Sequence, residues 1–234
     1  MVGLILAGGE GTRFSGAGCC KPLITVNGKY LITYSLENLV SLGVDRICIV
    51  AGRFARTLQA ALGDDYCGVP VEYVLQKKPR GILNAVYTAL EAVSGETVVL
   101  QLSDEIFIGL RPNAVARIAD ADFLCGYTVP EDPASILGNY ALLCDGETVL
   151  STVEKPETAP NEKKGTGFCV FRPACMELLR TRFLPDSPGD LCDFMNALIA
   201  NGKRGLAVEI AAEVAGEEFA AAVTLHGVVP SANF

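Results

Sequence analysis

Apolar residues along this chain recur with two periods. Short β-branched or apolar runs at 2–7 (VGLILA), 44–51 (VDRICIVA), 71–75 (VEYVL), 97–102 (TVVLQL) and 121–129 (ADFLCGYTV) predict strands. Between them, 31–43 (LITYSLENLVSLG), 55–63 (ARTLQAALG), 82–93 (ILNAVYTALEAV) and 112–119 (PNAVARIA) space their apolar positions three and four apart and predict helices. Gly43 and Gly63 stand where helix stops belong. This βαβ alternation predicts an α/β fold, a Rossmann-like, mostly parallel sheet flanked by helices on both faces, with ligands at the carboxyl ends of the strands.

After residue 130 the pattern changes. NYALLC (139–144), TVLSTVE (148–154) and TGFCVF (166–171) follow one another with little helix between them, and helical stretches return near 173–182 and 190–200. An antiparallel β element added to the parallel sheet accounts for this. KPETAPNEKKG (155–165), rich in proline and charge, reads as a solvated loop. No internal repeat is present, and no hexapeptide β-helix pattern.

With 234 residues, 50% of them apolar, the chain can bury one sizeable core, and a single domain over 1–234 is expected. A net charge of -8 with dispersed acids argues against nucleic-acid and anionic-membrane partners, so a polyanionic ligand must be met by a few local cations. The nine cysteines contain no CxxC pair, and most lie in apolar runs, as expected of reduced thiols in a cytoplasmic protein. No apolar run reaches the roughly 18 to 20 residues of a membrane span.

Candidate chemistry begins directly behind the first strand, at LAGGEGTRF (6–14). Glycines let backbone amides approach a ligand and form an anion-binding nest, and Arg13 adds a planar fork that matches phosphate oxygens. The glycines alone equally suit a sharp turn. GxxxxGK[ST] is absent, and a dinucleotide fingerprint written from Gly9 finds Phe14 where its third glycine belongs.

Together with KPLITVNGKYLI from Lys21 onward, this segment closely resembles the signature of the sugar-1-phosphate nucleotidyltransferases, of the nucleotide-diphospho-sugar transferase fold type. The resemblance implies that Leu6, Ala7, Gly8, Gly9, Gly11, Thr12 and Arg13 hold a nucleoside triphosphate, and that Lys21 bridges nucleotide and sugar phosphates. LQKKPRGILNAV (75–86) resembles the family's base-reading segment. Gln76 and Gly81 inherit that role, the glutamine offering both a donor and an acceptor to a pyrimidine edge. LQLSDEIFIG (100–109) lies where the family has LGDNIF, making Asp104 the ligand for a magnesium cofactor, with Ser103 and Glu105 replacing glycine and asparagine.

VEKP (153–156) implies that Glu154 contacts sugar hydroxyls and Lys155 the sugar phosphate, with Gly138 and Gly167 admitting the sugar ring. Residues 1–129 then form the nucleotide-binding part and 130–234 the sugar-phosphate-binding part. Asp193 falls at an acidic helix position that reads as structural. Near the C-terminus Leu225 stands where the family's second metal-binding aspartate belongs, beside the sole histidine, His226. Glu209, Glu213 or Glu217, or water and phosphate oxygens, are left to complete the site. The implied activity makes a nucleotide sugar and pyrophosphate from a nucleoside triphosphate, dTTP or UTP favoured, and a sugar 1-phosphate. A non-catalytic homologue that only binds these ligands is the alternative, and self-association into a homo-oligomer is left open.

Overall fold

The computed structural model describes residues 1–9, 20–110, 112–185 and 189–215, with 212–215 described by backbone alone. In chain order the strands are β1 (Val2–Ala7), β2 (Thr25–Val26), β3 (Lys29–Tyr30), β4 (Arg46–Ala51), β5 (Asp65–Tyr66), β6 (Val69–Leu75) and β7 (Val98–Leu102). They continue with β8 (Glu105–Ile108), β9 (Phe123–Thr128), β10 (Tyr140–Asp145), β11 (Thr148–Glu154), β12 (Lys164–Phe171), β13 (Gly205–Glu209) and β14 (Ala212–Ala215). The helices are α1 (Leu31–Ser41), α2 (Ala55–Leu62), α3 (Ile82–Thr88), α4 (Pro112–Ala116), α5 (Pro173–Arg182) and α6 (Leu191–Ala200).

One ten-stranded sheet joins both halves of the chain. β1 lies between β7 and β4, parallel to both, and β6 runs parallel beyond β4. All six residues of β1 are buried, because helices cover both faces. Val2, Leu4 and Leu6 join α3, α5 and α6 in one core, whereas Ile5 and Ala7 join α1, α2 and α4 in the other.

The antiparallel element is inserted rather than appended. β12 runs antiparallel between β7 and β9, β13 is parallel to β9, and the β10–β11 hairpin closes that edge. Seven of the eight β12 residues are buried, and a strand apolar on both faces is accommodated in the interior of a sheet, not at its margin. Lys164 and Gly165 belong to this strand, which shortens the expected loop. A second departure concerns 82–93, where the α-helix stops at Thr88. There the Thr88 hydroxyl donates back to the Asn84 carbonyl, and Ala89 and Leu90 tighten to i−3 bonds on Val86 and Tyr87. Asp193 closes a reciprocal capping box with Asp190 at the start of α6.

Gln101 on β7 is 0% exposed, and neither its amide nitrogen nor its amide oxygen has a hydrogen-bond partner. Leaving such a group unpaired costs about 1–3 kcal/mol. Gln101→Met, close in volume, is expected to gain roughly that amount, seen as a higher urea midpoint at unchanged slope. A lower midpoint would contradict it.

Among the described residues, Cys48, Cys67, Cys125, Cys144, Cys169, Cys175 and Cys192 carry free thiols. Burial pushes the thiols of Cys48, Cys175 and Cys192 up to about 12 from a usual 9.0. The folded chain therefore keeps protons that the unfolded chain releases. This contribution is full below the unfolded value and is lost as pH rises towards 12, at a limiting slope of about 1.4 kcal/mol per pH unit per thiol. The urea midpoint is expected to fall between about pH 8.5 and 10.5, with a shallower fall in Cys48→Val. A flat profile would refute it.

Candidate active site

The parallel register places four strand ends side by side, with Ala7 beside Ala51, Ala51 beside Leu75 and Leu6 beside Leu102. The residues that follow these ends, Gly8, Gly52, Gln76 and Ser103, share the carboxyl edge of the sheet. Backbone bonds extend the ladder there, from Gln76 N–H to the Ala51 carbonyl at 2.8 Å and from Ser103 N–H to the Leu6 carbonyl at 3.2 Å. A cleft of about 330 Å³ opens at this edge over Ala7, Gly8, Gly9, Arg53, Gln76 and Lys77.

Gly8 is required by the close approach of Gln76, since a Cβ there would stand 2.0 Å from the Gln76 Oε1. The Gln76 side chain is buried and donates through Nε2 to Asn84 Oδ1 at 2.6 Å. The donor side of the amide is thus engaged within the protein, and the oxygen is the atom turned to Gly8. Gly81 starts α3 with a φ of +93° and lies against the Gly189 carbonyl. Gly11, Thr12 and Arg13 lie outside the described residues, as do Leu225, His226 and Glu217.

Lys21 opens the short 3-10 turn Lys21–Leu23, shaped by Pro22. Its Nζ lies 2.7 Å from Asp104 Oδ2, with side-chain exposures of 13% and 37%. Two residues 83 positions apart in sequence thus share one end of the sheet. Glu105 turns elsewhere, accepting the Gly167 N–H at 2.7 Å. Gly167 is itself buried, with Leu102 and the Glu105 carboxylate over its α-carbon.

Glu154 and Lys155 follow from β11. Glu154 is the register partner of Tyr140, Lys155 N–H donates to the Asn139 carbonyl at 2.7 Å, and Lys155 Nζ lies 3.3 Å from Glu154 Oε1. Gly138 precedes Asn139 and has open space above it. The β10–β11 pairing therefore gathers Gly138, Glu154 and Lys155 into one exposed group.

Two carboxylate arrangements bear on a metal. Glu154, Asp190 and Cys192 bring ligand atoms within 4.8 Å of one another, but the Cys192 thiol already donates to Glu154 Oε2 at 3.8 Å, and Asp190 already caps α6. Asp104 instead offers a half-exposed hard oxygen at the strand edge. Magnesium typically takes one or two carboxylates and completes its shell with phosphate oxygens and water, so this donor suits it. Glu209 ends β13, where the Tyr127 hydroxyl donates to it at 3.4 Å. In the sheet order it lies three strand spacings from β7, roughly 14 Å, too far to share an ion with Asp104. Glu213 belongs to β14, whose backbone pairs with β8.

Arg53, Lys77 and Asn84 were not among the residues singled out from the sequence. Arg53 directly follows Gly52 at the end of a strand whose last five residues, ICIVA, are apolar, and Lys77 opens the basic run KKPR. The rule that ligands sit at the carboxyl ends of parallel strands, applied to every strand, would have found both.

A family model described as Nucleotidyl transferase matches residues 2–217. The UTP–glucose-1-phosphate uridylyltransferase AglF of Haloferax volcanii is 31% identical over 218 residues, covering 90% of this chain and 88% of that protein. A glucose-1-phosphate thymidylyltransferase of Streptomyces griseus is 31% identical over 182 residues, 76% of this chain and 51% of that protein, so the chain spans about half of this longer relative. Among solved structures, a UDP-glucose pyrophosphorylase complexed with UDP-glucose superposes with a TM-score of 0.80 at 20% identity, over 97% of this chain and 98% of that one. The inositol-1-phosphate CTP transferase of T. maritima superposes with a TM-score of 0.75 at 19% identity, over 91% of this chain and 86% of that one. With Gly8 at the first strand's end, the Lys21–Asp104 pair and the mixed sheet in place, the match over almost the whole chain makes it a member of the nucleotidyl transferase family, among its sugar-1-phosphate nucleotidyltransferases.

Proposed function

We propose that this protein joins a nucleoside triphosphate, UTP or dTTP, to a sugar 1-phosphate, forming a nucleotide sugar and releasing pyrophosphate. The observation that carries this reading is the Lys21–Asp104 pair at 2.7 Å, on the sheet edge that also bears Gly8 and Gln76. A phosphate oxygen of the sugar 1-phosphate attacks the α-phosphorus in line, and pyrophosphate leaves. That oxygen is already anionic, so no protein nucleophile is needed, and the barrier lies mainly in charge repulsion and orientation.

Cations of the chain relieve both. In this reading Lys21 neutralises the α-phosphate, Lys155 holds the attacking phosphate, Glu154 orients sugar hydroxyls, and Arg13 meets the leaving pyrophosphate. Leu6, Ala7, Gly8, Gly9, Gly11 and Thr12 supply the phosphate turn, Gln76 and Gly81 the base contacts, and Gly138 the approach to the sugar, whereas Gly167, expected to share that role, lies buried under Leu102 and the Glu105 carboxylate. Asp104 would hold magnesium, which supplies charge neutralisation of the triphosphate when bound. Arg53 and Lys77, lining the cleft, add the local cations that a chain of net charge -8 requires. A cytoplasmic setting fits its free cysteines. Among the described residues no helix is long and apolar enough to cross a membrane.

The test is a matrix of the common triphosphates against several sugar 1-phosphates with magnesium, read by pyrophosphate release. Turnover with UTP or dTTP is expected. Ligand binding without pyrophosphate release would favour the non-catalytic reading, which the Ser103-Asp104-Glu105 sequence and Leu225 motivate.

A further inference from the structure

Amide side chains have nearly the same shape either way round, so a row of them has two self-consistent orientations unless one end is tied to a group that can only accept or only donate. Pro185 provides that end. Its carbonyl accepts from Asn84 Nδ2 at 2.7 Å, which turns Asn84 Oδ1 the other way, and that oxygen accepts from Gln76 Nε2 at 2.6 Å. The remaining atom, Gln76 Oε1, is left beside Gly8 at the floor of the cleft. Gln76 is 4% exposed and Asn84 8%, so water competes little for these bonds. Asn84 is also held by its backbone in the first turn of α3, with its carbonyl accepting from Thr88.

We propose that Asn84 is a positioning residue for nucleotide selection. Fixed by the Pro185 carbonyl, it makes Gln76 present a carbonyl oxygen, not an amide N–H, to the base. A base that places an N–H at that point is then selected. Uracil and thymine do so with the N3–H of the imide, whereas cytosine in the same pose carries a lone pair on N3. The inference rests on the proposed use of this cleft for the base, and it narrows Gln76 from donor and acceptor to acceptor.

The test measures binding of UTP, dTTP, CTP and 3-methyl-UTP by calorimetry to the wild-type protein, Asn84→Ala and Asn84→Asp, with melting temperatures recorded alongside. The wild type is expected to bind UTP and dTTP about 100-fold more tightly than CTP or 3-methyl-UTP. In Asn84→Ala the freed amide can turn its N–H to the base, and the preference for UTP over CTP is expected to fall below about tenfold. Asn84→Asp still accepts from Gln76 Nε2 and is expected to keep the preference, even though it loses the donor to Pro185 and some stability. A purely structural role would weaken all four ligands alike in both variants. Full preference in Asn84→Ala, or its loss in Asn84→Asp, overturns the assignment. If Asn84→Ala does not fold, Asn84→Asp and the wild-type comparison of UTP with 3-methyl-UTP carry the decision. A wild type that binds CTP as tightly as UTP refutes this inference alone, and one that binds none of the four refutes the nucleotide reading beneath it.

Discussion

Lys21→Ala is expected to lower kcat/KM for nucleotide-sugar formation by about 10²–10³-fold, roughly 3–4 kcal/mol of transition-state stabilisation. The lysine is 13% exposed and anchored at 2.7 Å to Asp104, so its charge is held in place before substrate arrives. Such a pre-oriented cation, partly shielded from water, stabilises developing charge far better than a solvated one. The effect on folding runs the other way in size. Asp104 keeps 37% of its side chain in water, so breaking the pair is expected to cost about 1 kcal/mol or less. Lys21→Arg, which keeps the charge but changes its shape, is expected to recover part of the rate. Pyrophosphate release with a melting curve separates the two effects. Activity within threefold of the parent would remove Lys21 from the reaction.

Gly165→Ala carries the largest expected loss of stability. Gly165 is the register partner of Tyr140, and a Cβ there would stand 2.0 Å from the ring Cε2 and 2.2 Å from Cζ. The ring has little room to yield, being 7% exposed with its hydroxyl donating to the Thr166 carbonyl at 2.7 Å. Overpacking of a well-filled site costs about 1–3 kcal/mol, and unpairing the buried hydroxyl and carbonyl a further 1–3, for a total of about 2–6 kcal/mol. Thermal midpoint should drop by about 10 °C. Because Tyr140 also faces Glu154 across β10–β11, the KM for the sugar phosphate should rise in the same variant. Adding Tyr140→Leu should restore part of the stability, with a coupling of about 1–3 kcal/mol against the two single variants. Additive effects would mean that the contact is not what limits this position.

The regular elements were legible wherever a run was long enough to display a period. VGLILA is β1 without adjustment, and the stripe of Ile32, Leu36 and Leu39 seats α1 on the sheet. Elements of two to four residues, such as β5 and β8, are too short to show one and were not foreseen. The stop of α3 at Thr88 escaped for a different reason. Its apolar spacing continues, and Ala89, Leu90 and Val93 remain in the core, while the hydrogen bonding changes beneath an unchanged pattern of burial.

The candidate site divides in the same way. Lys21, Gln76, Asp104 and Glu154 were all named through the resemblance of their segments to the family's motifs, each of which stands beside a strand end or a turn. The sequence by itself determined that the chain alternates strands and helices, that a glycine-rich segment follows the first strand, and which acids and cations stand near strand ends. Only the tertiary structure decided that β12 enters the middle of the sheet, that Lys21 meets Asp104, and that Asn84 and Pro185 orient Gln76. The physical reason is range. Periodicity and turn chemistry are properties of neighbouring residues, whereas an ion pair across 83 positions or an amide tied to a carbonyl 101 positions away exists only once both faces of the sheet have been buried.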